Sequence, residues 1–275
     1  MQVFRNQLEI QFIGLQRSGS HAVLSWLFKQ FEKPVYFFNN ARHFGNPLQD
    51  FQPLDLPNTV PVRRGRSAGR RRQLQQIAQM PKDVLVYSYE NLPLDALRQR
   101  QLVPDKDMVT GLSRGLRRML IVRDFPNWFA SRIRYHEIVR AEFPTGQQIE
   151  RLMRMWMLYA REYLGETEYL GDVPVDTVSF NLWVRDDAYR SDLLRTLCVK
   201  LKDNSISYVP DAGGGSSFDA TKLSGKGEQM QVFARWRYLR DKKLGEVVPG
   251  FANRLREIER LNNAIFGSEF AMRSI

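Results

Sequence analysis

The sequence predicts an α/β fold of three layers, α/β/α, with a central parallel sheet in one domain spanning residues 1–275. Three observations carry that expectation. Apolar runs of strand length alternate with stretches of helical period, the pattern of a sheet covered by helices on both faces. The first run, Ile10 to Leu15, passes through the turn Gln16-Arg17-Ser18-Gly19 straight into an amphipathic helix. The 275 residues, 43% of them hydrophobic, suffice for one large core, and no internal repeat or composition shift marks a domain boundary.

Residues 9–15 read as the first strand and 20–31 as the first helix, with Ala22, Val23, Trp26 and Leu27 at helical spacing. Residues 34–38 form a short second strand. Residues 45–76 read as a basic loop or insertion, longer than an ordinary connection. Residues 83–89 are a strand, followed by Glu90-Asn91-Leu92-Pro93. Residues 117–122 are the next strand, and a helix runs from 126 to about 141. Asp124 is placed to cap that helix, and Pro126 suits its first turn. Residues 147–164 are a long helix, 175–180 a strand and 187–201 a helix. Residues 212–227 read as a Gly/Ser loop, with helices over 228–239 and 251–266 beyond it. Trp26, Trp128, Met153, Met155 and Trp156 are expected in the core.

The turn after the first strand carries the chemistry. Backbone N–H groups converge there, and the following helix N-terminus adds about half a positive charge, which together favour a phosphate. The nucleotidase P-loop, G-x-x-x-x-G-K-[ST], has Lys and Ser/Thr where this chain has Ser20 and His21 after Gly19. The basic residue sits inside the turn instead, as Arg17. An ordinary strand-to-helix turn with polar caps is the alternative.

A second anion site is suggested by Arg123 at the tip of its strand and Ser131 about a turn into the next helix. A guanidinium and a hydroxyl so placed can share one phosphate. The alternative is an Arg paired with a nearby carboxylate.

The two sites together resemble the sulfotransferase superfamily, whose donor is 3′-phosphoadenosine-5′-phosphosulfate. In that family a [RK]-x-G-[ST] loop after strand one binds the 5′-phosphosulfate, and Arg17-Ser18-Gly19-Ser20 matches it. A later strand ends in Arg with Ser eight residues on, both binding the 3′-phosphate, and Arg123 and Ser131 match in order and spacing. Pro126 is displaced by one from the family's Arg-[DN]-Pro. Ser179-Phe180-Asn181-Leu182 replaces a common Tyr-Glu-Asp-Leu. Gly213-Gly214-Gly215-Ser216-Ser217-Phe218 stands where the family has a glycine-bearing loop over the cofactor, without its Arg-Lys-Gly run. The likeness spans roughly residues 8 to 230.

The resemblance implies a P-loop-like sulfotransferase fold and metal-free sulfuryl transfer to an acceptor hydroxyl or amine. Arg17 would stabilise charge on the departing phosphate, cradled by the N–H groups of Ser18, Gly19, Ser20 and His21. Arg123 and Ser131, with Gly214, Gly215, Ser216, Ser217 and Phe218, would complete the donor site. A general base is also needed. The family's Lys-x-His-x-Pro run looks like Tyr89-Glu90-Asn91-Leu92-Pro93 here, with Asn91 in place of the His. His43 is narrowly preferred as base over Glu90, with Glu32 third, and His136 is expected to be structural or substrate-facing.

The net charge of +11 and pI near 9.9 imply polyanionic company, an anionic glycan among the acceptors that fit, with a small molecule as the other. Arg63, Arg64, Arg66, Arg70, Arg71 and Arg72 concentrate the excess. Nucleic acid is disfavoured, since no aromatic residue lies among them over 61–76. No apolar run approaches the roughly 18 residues that span a bilayer. No secretory leader is seen, and the lone Cys198 forms no internal disulfide, so a cytoplasmic protein is expected. Two other readings are an ATP-using P-loop kinase or nucleotide-binding relative and a non-enzymatic binder of polyanions.

Overall fold

The strands of this chain read as near-continuous apolar runs, which suits a parallel sheet buried on both faces. The computed structural model describes residues 3–41, 50–62, 68–97, 109–171, 173–211, 215–242, 244 and 250–270. Five strands make one parallel sheet: β1 (Phe4–Gly14), β2 (Tyr36–Phe38), β3 (Lys82–Glu90), β4 (Leu112–Val122) and β5 (Val175–Ser179), in the order β2-β3-β1-β4-β5. The helices are α1 (Ser20–Phe28), α2 (Ala68–Gln79), α3 (Leu94–Leu97), α4 (Phe125–Arg140), α5 (Gly146–Tyr163), α6 (Phe180–Arg185), α7 (Asp187–Thr196) and α8 (Phe251–Phe266). No helix among the described residues is long and apolar enough to cross a membrane.

Alternate residues of each strand feed two cores. Ile10 and Phe12 of β1, Val86 of β3 and Met119 and Ile121 of β4 pack with Trp26 of α1 and Trp183 of α6. Ile13, Leu85, Tyr87, Leu120 and Val122 point the other way, onto Trp128 of α4 and Trp156 of α5. Trp26, Trp128, Met153 and Trp156 are buried as expected, and Met155 is half-buried. The three-layer architecture follows from this two-sided burial.

Register decides where the site forms. Gly14 ends β1 opposite both Glu90 of β3 and Ile121 of β4, and Val122 pairs with Ser179 of β5. The chain leaving β1 goes towards β2, while the chain leaving β4 goes to β5 on the other side. The crevice at such a switch point, outside the carboxyl ends of the strands, is where open α/β sheets bind ligands.

Two sequence expectations are corrected. Within the segment read as a basic loop, residues 68–79 form α2, because Ala, Arg and Gln are good helix formers and Leu74 and Ile77, three apart, reach the core. Residues 228–239 are not one helix but two 3₁₀ segments, Gly227–Gln229 and Arg235–Leu239, joined by turns.

Candidate functional site

The first loop is wound tightly against the sheet. Gly19 caps α1 with φ +91°, a backbone region L side chains rarely adopt, and a Cβ there would fall well inside van der Waals contact with the Phe180 ring. Arg17 is also left-handed, at φ 72°. Such non-glycine strain costs of order 1 kcal/mol and persists only where surroundings over-determine it. Those surroundings are visible. The Gln16 N–H donates to Asn91 Oδ1 at 3.0 Å, and the Asn91 N–H donates to the Gly14 carbonyl at 3.0 Å. Asn91 is therefore a brace for the first loop. The Ser18 N–H is used within the turn, donating to Leu15 O at 3.0 Å, so it adds nothing to the cradle expected of it. Ser20 Oγ is buried without a partner beside Gly14.

Arg17 reaches across to donate to the Gly215 carbonyl at 2.8 Å, and its guanidinium lies 5.1 Å from the centre of the Tyr135 ring. Burial holds its pKa below the usual arginine value, with Tyr135 and Glu90 opposing. Arg132, one turn before His136 on α4, pairs with Gln16 Oε1 and is pulled down to about 10 by burial, against the attraction of Glu90. Glu90 thus attracts both guanidiniums without a direct ion pair to either among the described residues.

The second cationic group is more deeply buried. Asp124 caps α4, accepting the Asn127 N–H at 3.1 Å, and Asn181 Nδ2 donates to its other oxygen at 3.0 Å. Trp156 Nε1 donates to the Arg123 carbonyl at 2.9 Å. The Arg123 side chain, 2% exposed, lies over the Phe180 ring and donates to Ser131 Oγ at 3.4 Å and Val232 O at 2.5 Å. Arg235, 8% exposed, donates to the same Ser131 Oγ at 3.3 Å and to Ser216 Oγ at 2.9 Å. Asp219 stands 3.7 Å from Arg235. The Nε of each arginine has no hydrogen-bond partner. Burial pulls Arg123 down to about 10 and Arg235 well below the usual value, and each also feels neighbouring guanidiniums.

Both groups open on one cavity of about 420 Å³, lined by Arg17, Gly19, Ser20, His21, Glu90, Arg123, Gly215, Ser216 and Arg235. Phe180, Trp183, Ile206, Met230 and Val232 supply an apolar wall, and Asn39, Asn40 and Gln52 a carboxamide one. Ser131 does not line the cavity; it is fully buried behind the two guanidiniums, donating to Asn127 O at 2.8 Å while accepting from both. Ser217 lies behind too, donating to Ser131 O at 3.1 Å, and Phe218 carries the Arg235 guanidinium 5.3 Å from its ring centre. Glu32 pairs with Lys202 at 3.9 Å on the surface, and His136 faces Glu142 at 3.9 Å; neither lines the cavity. His43 and Gly214 lie outside the described residues.

Arg235 is the residue sequence reasoning missed. It stands in a segment read as a helix, and no local spacing ties it to Ser131, 104 positions away.

No protein-family model matches the chain, and no curated protein matches it. Among solved structures the chain is similar in fold to mouse sulfotransferase SULT7A1 complexed with PAP, at 11% identity over 99% of this chain and 91% of that one, with a TM-score of 0.49. It is also similar to a sulfotransferase from Alicyclobacillus acidocaldarius, at 18% identity over 95% of this chain and 97% of that one, with a TM-score of 0.40. Both likenesses concern the fold, and neither carries a residue role into this chain.

Proposed function

We propose that this protein is a sulfotransferase moving a sulfuryl group from 3′-phosphoadenosine-5′-phosphosulfate to an acceptor hydroxyl. The observation that carries the reading is one cavity with two separate cationic groups, both desolvated, the second incompletely paired. Arg123 and Arg235 converge on one hydroxyl with both Nε donors unused. Buried like charges cost several kcal/mol unless an anion meets them. A phosphate dianion would offset that buried charge, while Arg17 and the α1 N-terminus offer a second anion its place. A donor with phosphates on both the 3′ and 5′ oxygens of one ribose would meet both groups at once, and the apolar wall of Phe180, Trp183, Met230 and Val232 suits its base.

When bound, this donor supplies an activated sulfuryl group on its 5′-phosphate. The chain's own residues do the rest. Arg17 takes up charge that grows on the departing phosphate oxygen, the kind of pre-placed donor that supplies most of the rate in such transfers. Arg123 and Arg235 grip the 3′-phosphate and fix the donor's orientation. Asn40 and Gln52 pair well with sugar hydroxyls, which supports a glycan acceptor.

A thermal-shift titration with adenosine 3′,5′-bisphosphate tests the reading, with AMP and ATP plus Mg²⁺ beside it. At about 100 times its dissociation constant the bisphosphate stabilises the fold by about 2.7 kcal/mol. Selective stabilisation by the bisphosphate is expected. A larger shift with ATP plus Mg²⁺ would put the kinase reading first.

A further inference from the structure

His21 lines the cavity and its side chain is held by the strand ends. The ring Nε2 lies 2.9 Å from Asn39 Oδ1. Asn39 directly follows β2 and is 5% exposed. Its Oδ1 also accepts the Ser88 hydroxyl at 2.9 Å, and Ser88 Oγ accepts the Asn40 N–H at 2.8 Å. A carboxamide oxygen only accepts, so the proton of this contact sits on His21 Nε2. In the neutral ring that leaves the lone pair on Nδ1. A partner on one imidazole nitrogen is how a protein selects the tautomer and aims the other nitrogen.

Three elements, α1, the end of β2 and β3, thus converge on one imidazole. His21, Asn39 and Asn40 all line the cavity that holds Arg17. Tyr135 and Tyr208 line it too, and Glu90 is the carboxylate among its lining residues, within the attraction of Arg17 and Arg132. That carboxylate faces two cationic neighbours, whereas no cationic side chain is paired with the His21 ring among the described residues.

We infer that His21 is the general base of the reaction, with Asn39 and Ser88 as its positioning residues; the inference rests on the sulfuryl-transfer reading above. The acceptor oxygen forms its bond to sulfur while the bond from sulfur to the bridging oxygen breaks, and that oxygen keeps the electron pair. The hydroxyl proton passes to His21 Nδ1, giving an imidazolium, which later returns it to water.

The first test needs no acceptor. Long-range ¹H–¹⁵N spectra of histidine-labelled protein, with His21 assigned by the signal lost in His21→Gln, report the ring tautomer. The expected result is the Nε2–H form in the bisphosphate complex, with that preference lost in Asn39→Ala. An Nδ1–H ring would overturn the inference. The second test follows release of bisphosphate from the donor with a panel of sugar and phenol acceptors. His21→Ala is expected to lower turnover by about 10²- to 10⁴-fold. Its bisphosphate affinity stays within about threefold, because the backbone N–H is kept. Added imidazole restores part of the rate to His21→Ala and none to Glu90→Gln. Normal turnover in His21→Ala, with tight bisphosphate binding, would sink this inference alone. A wild-type protein blind to the bisphosphate would instead remove the sulfotransferase reading, and this inference with it.

Discussion

Trp128 Nε1 donates to the carbonyl of Gln16 at 3.0 Å. The indole belongs to α4, the helix that carries Ser131, and the carbonyl belongs to the loop that carries Arg17. One buried side chain therefore ties the two cationic groups together. Trp128→Phe keeps the apolar bulk and deletes the hydrogen bond. It should cost about 1 kcal/mol of stability by thermal unfolding. It should also weaken the bisphosphate several-fold, through a loosened first loop, in a titration.

Arg17→Ala should lower donor turnover by about 10²- to 10³-fold, since it removes a donor aimed at developing charge. The melting temperature should hold, because the substitution also removes a half-buried guanidinium from the neighbourhood of Arg123. Steady-state kinetics beside a melting curve separate the two effects, and near-normal turnover would end the proposed role.

Arg235→Met should weaken adenosine 3′,5′-bisphosphate by about 2 kcal/mol, roughly thirtyfold, while leaving AMP little changed. The free protein should change little in stability, since relief from the neighbouring Arg123 charge is offset by the lost contacts to Asp219, Ser216 and Ser131. Isothermal titration with both ligands and a melting curve check it. Equal losses for the two ligands would make Arg235 a structural residue.

Glu90→Gln should separate electrostatic neighbour from base. Attracting both Arg17 and Arg132, the carboxylate relieves their mutual repulsion, so its loss should destabilise the free protein by about 1 kcal/mol. The donor, being anionic, should bind as tightly or more so. Turnover should fall less than about tenfold; a loss of about 10³ at unchanged affinity would make Glu90 the base.

Gly19→Ala should be a damaging single methyl in the site. The added Cβ runs into the Phe180 ring, and the backbone sits at φ +91°. A loss of about 2 kcal/mol or more in stability is expected, from overpacking together with the unfavourable backbone. Chemical denaturation measures it.

Much of this was legible locally. The apolar runs of β1, β3 and β4 announce strands buried on both faces, and Asp124 with Pro126 announces the start of α4, because strand burial and helix capping act over a few residues. Arg17 and Gly19 could be singled out for the same reason. Other features were not legible. The Glu228–Leu239 segment has helix-forming residues, yet its carbonyl at Val232 is taken by Arg123 and the Trp236 N–H by Asn127 Oδ1 at 3.0 Å. Those distant bonds compete with a helical ladder and leave only 3₁₀ turns.

The sequence by itself therefore determined the α/β class, the succession of strands along the chain and the two short motifs that bear Arg17 and Arg123. Only the tertiary structure decided that Arg235 joins Arg123 on Ser131, that Asn91 braces the first loop, and that Asn39 and Ser88 orient His21. The physical reason is sequence separation. A pair such as Arg235 and Ser131, 104 positions apart, leaves no period in the chain, and it forms only when the sheet's register brings the strand ends into one crevice.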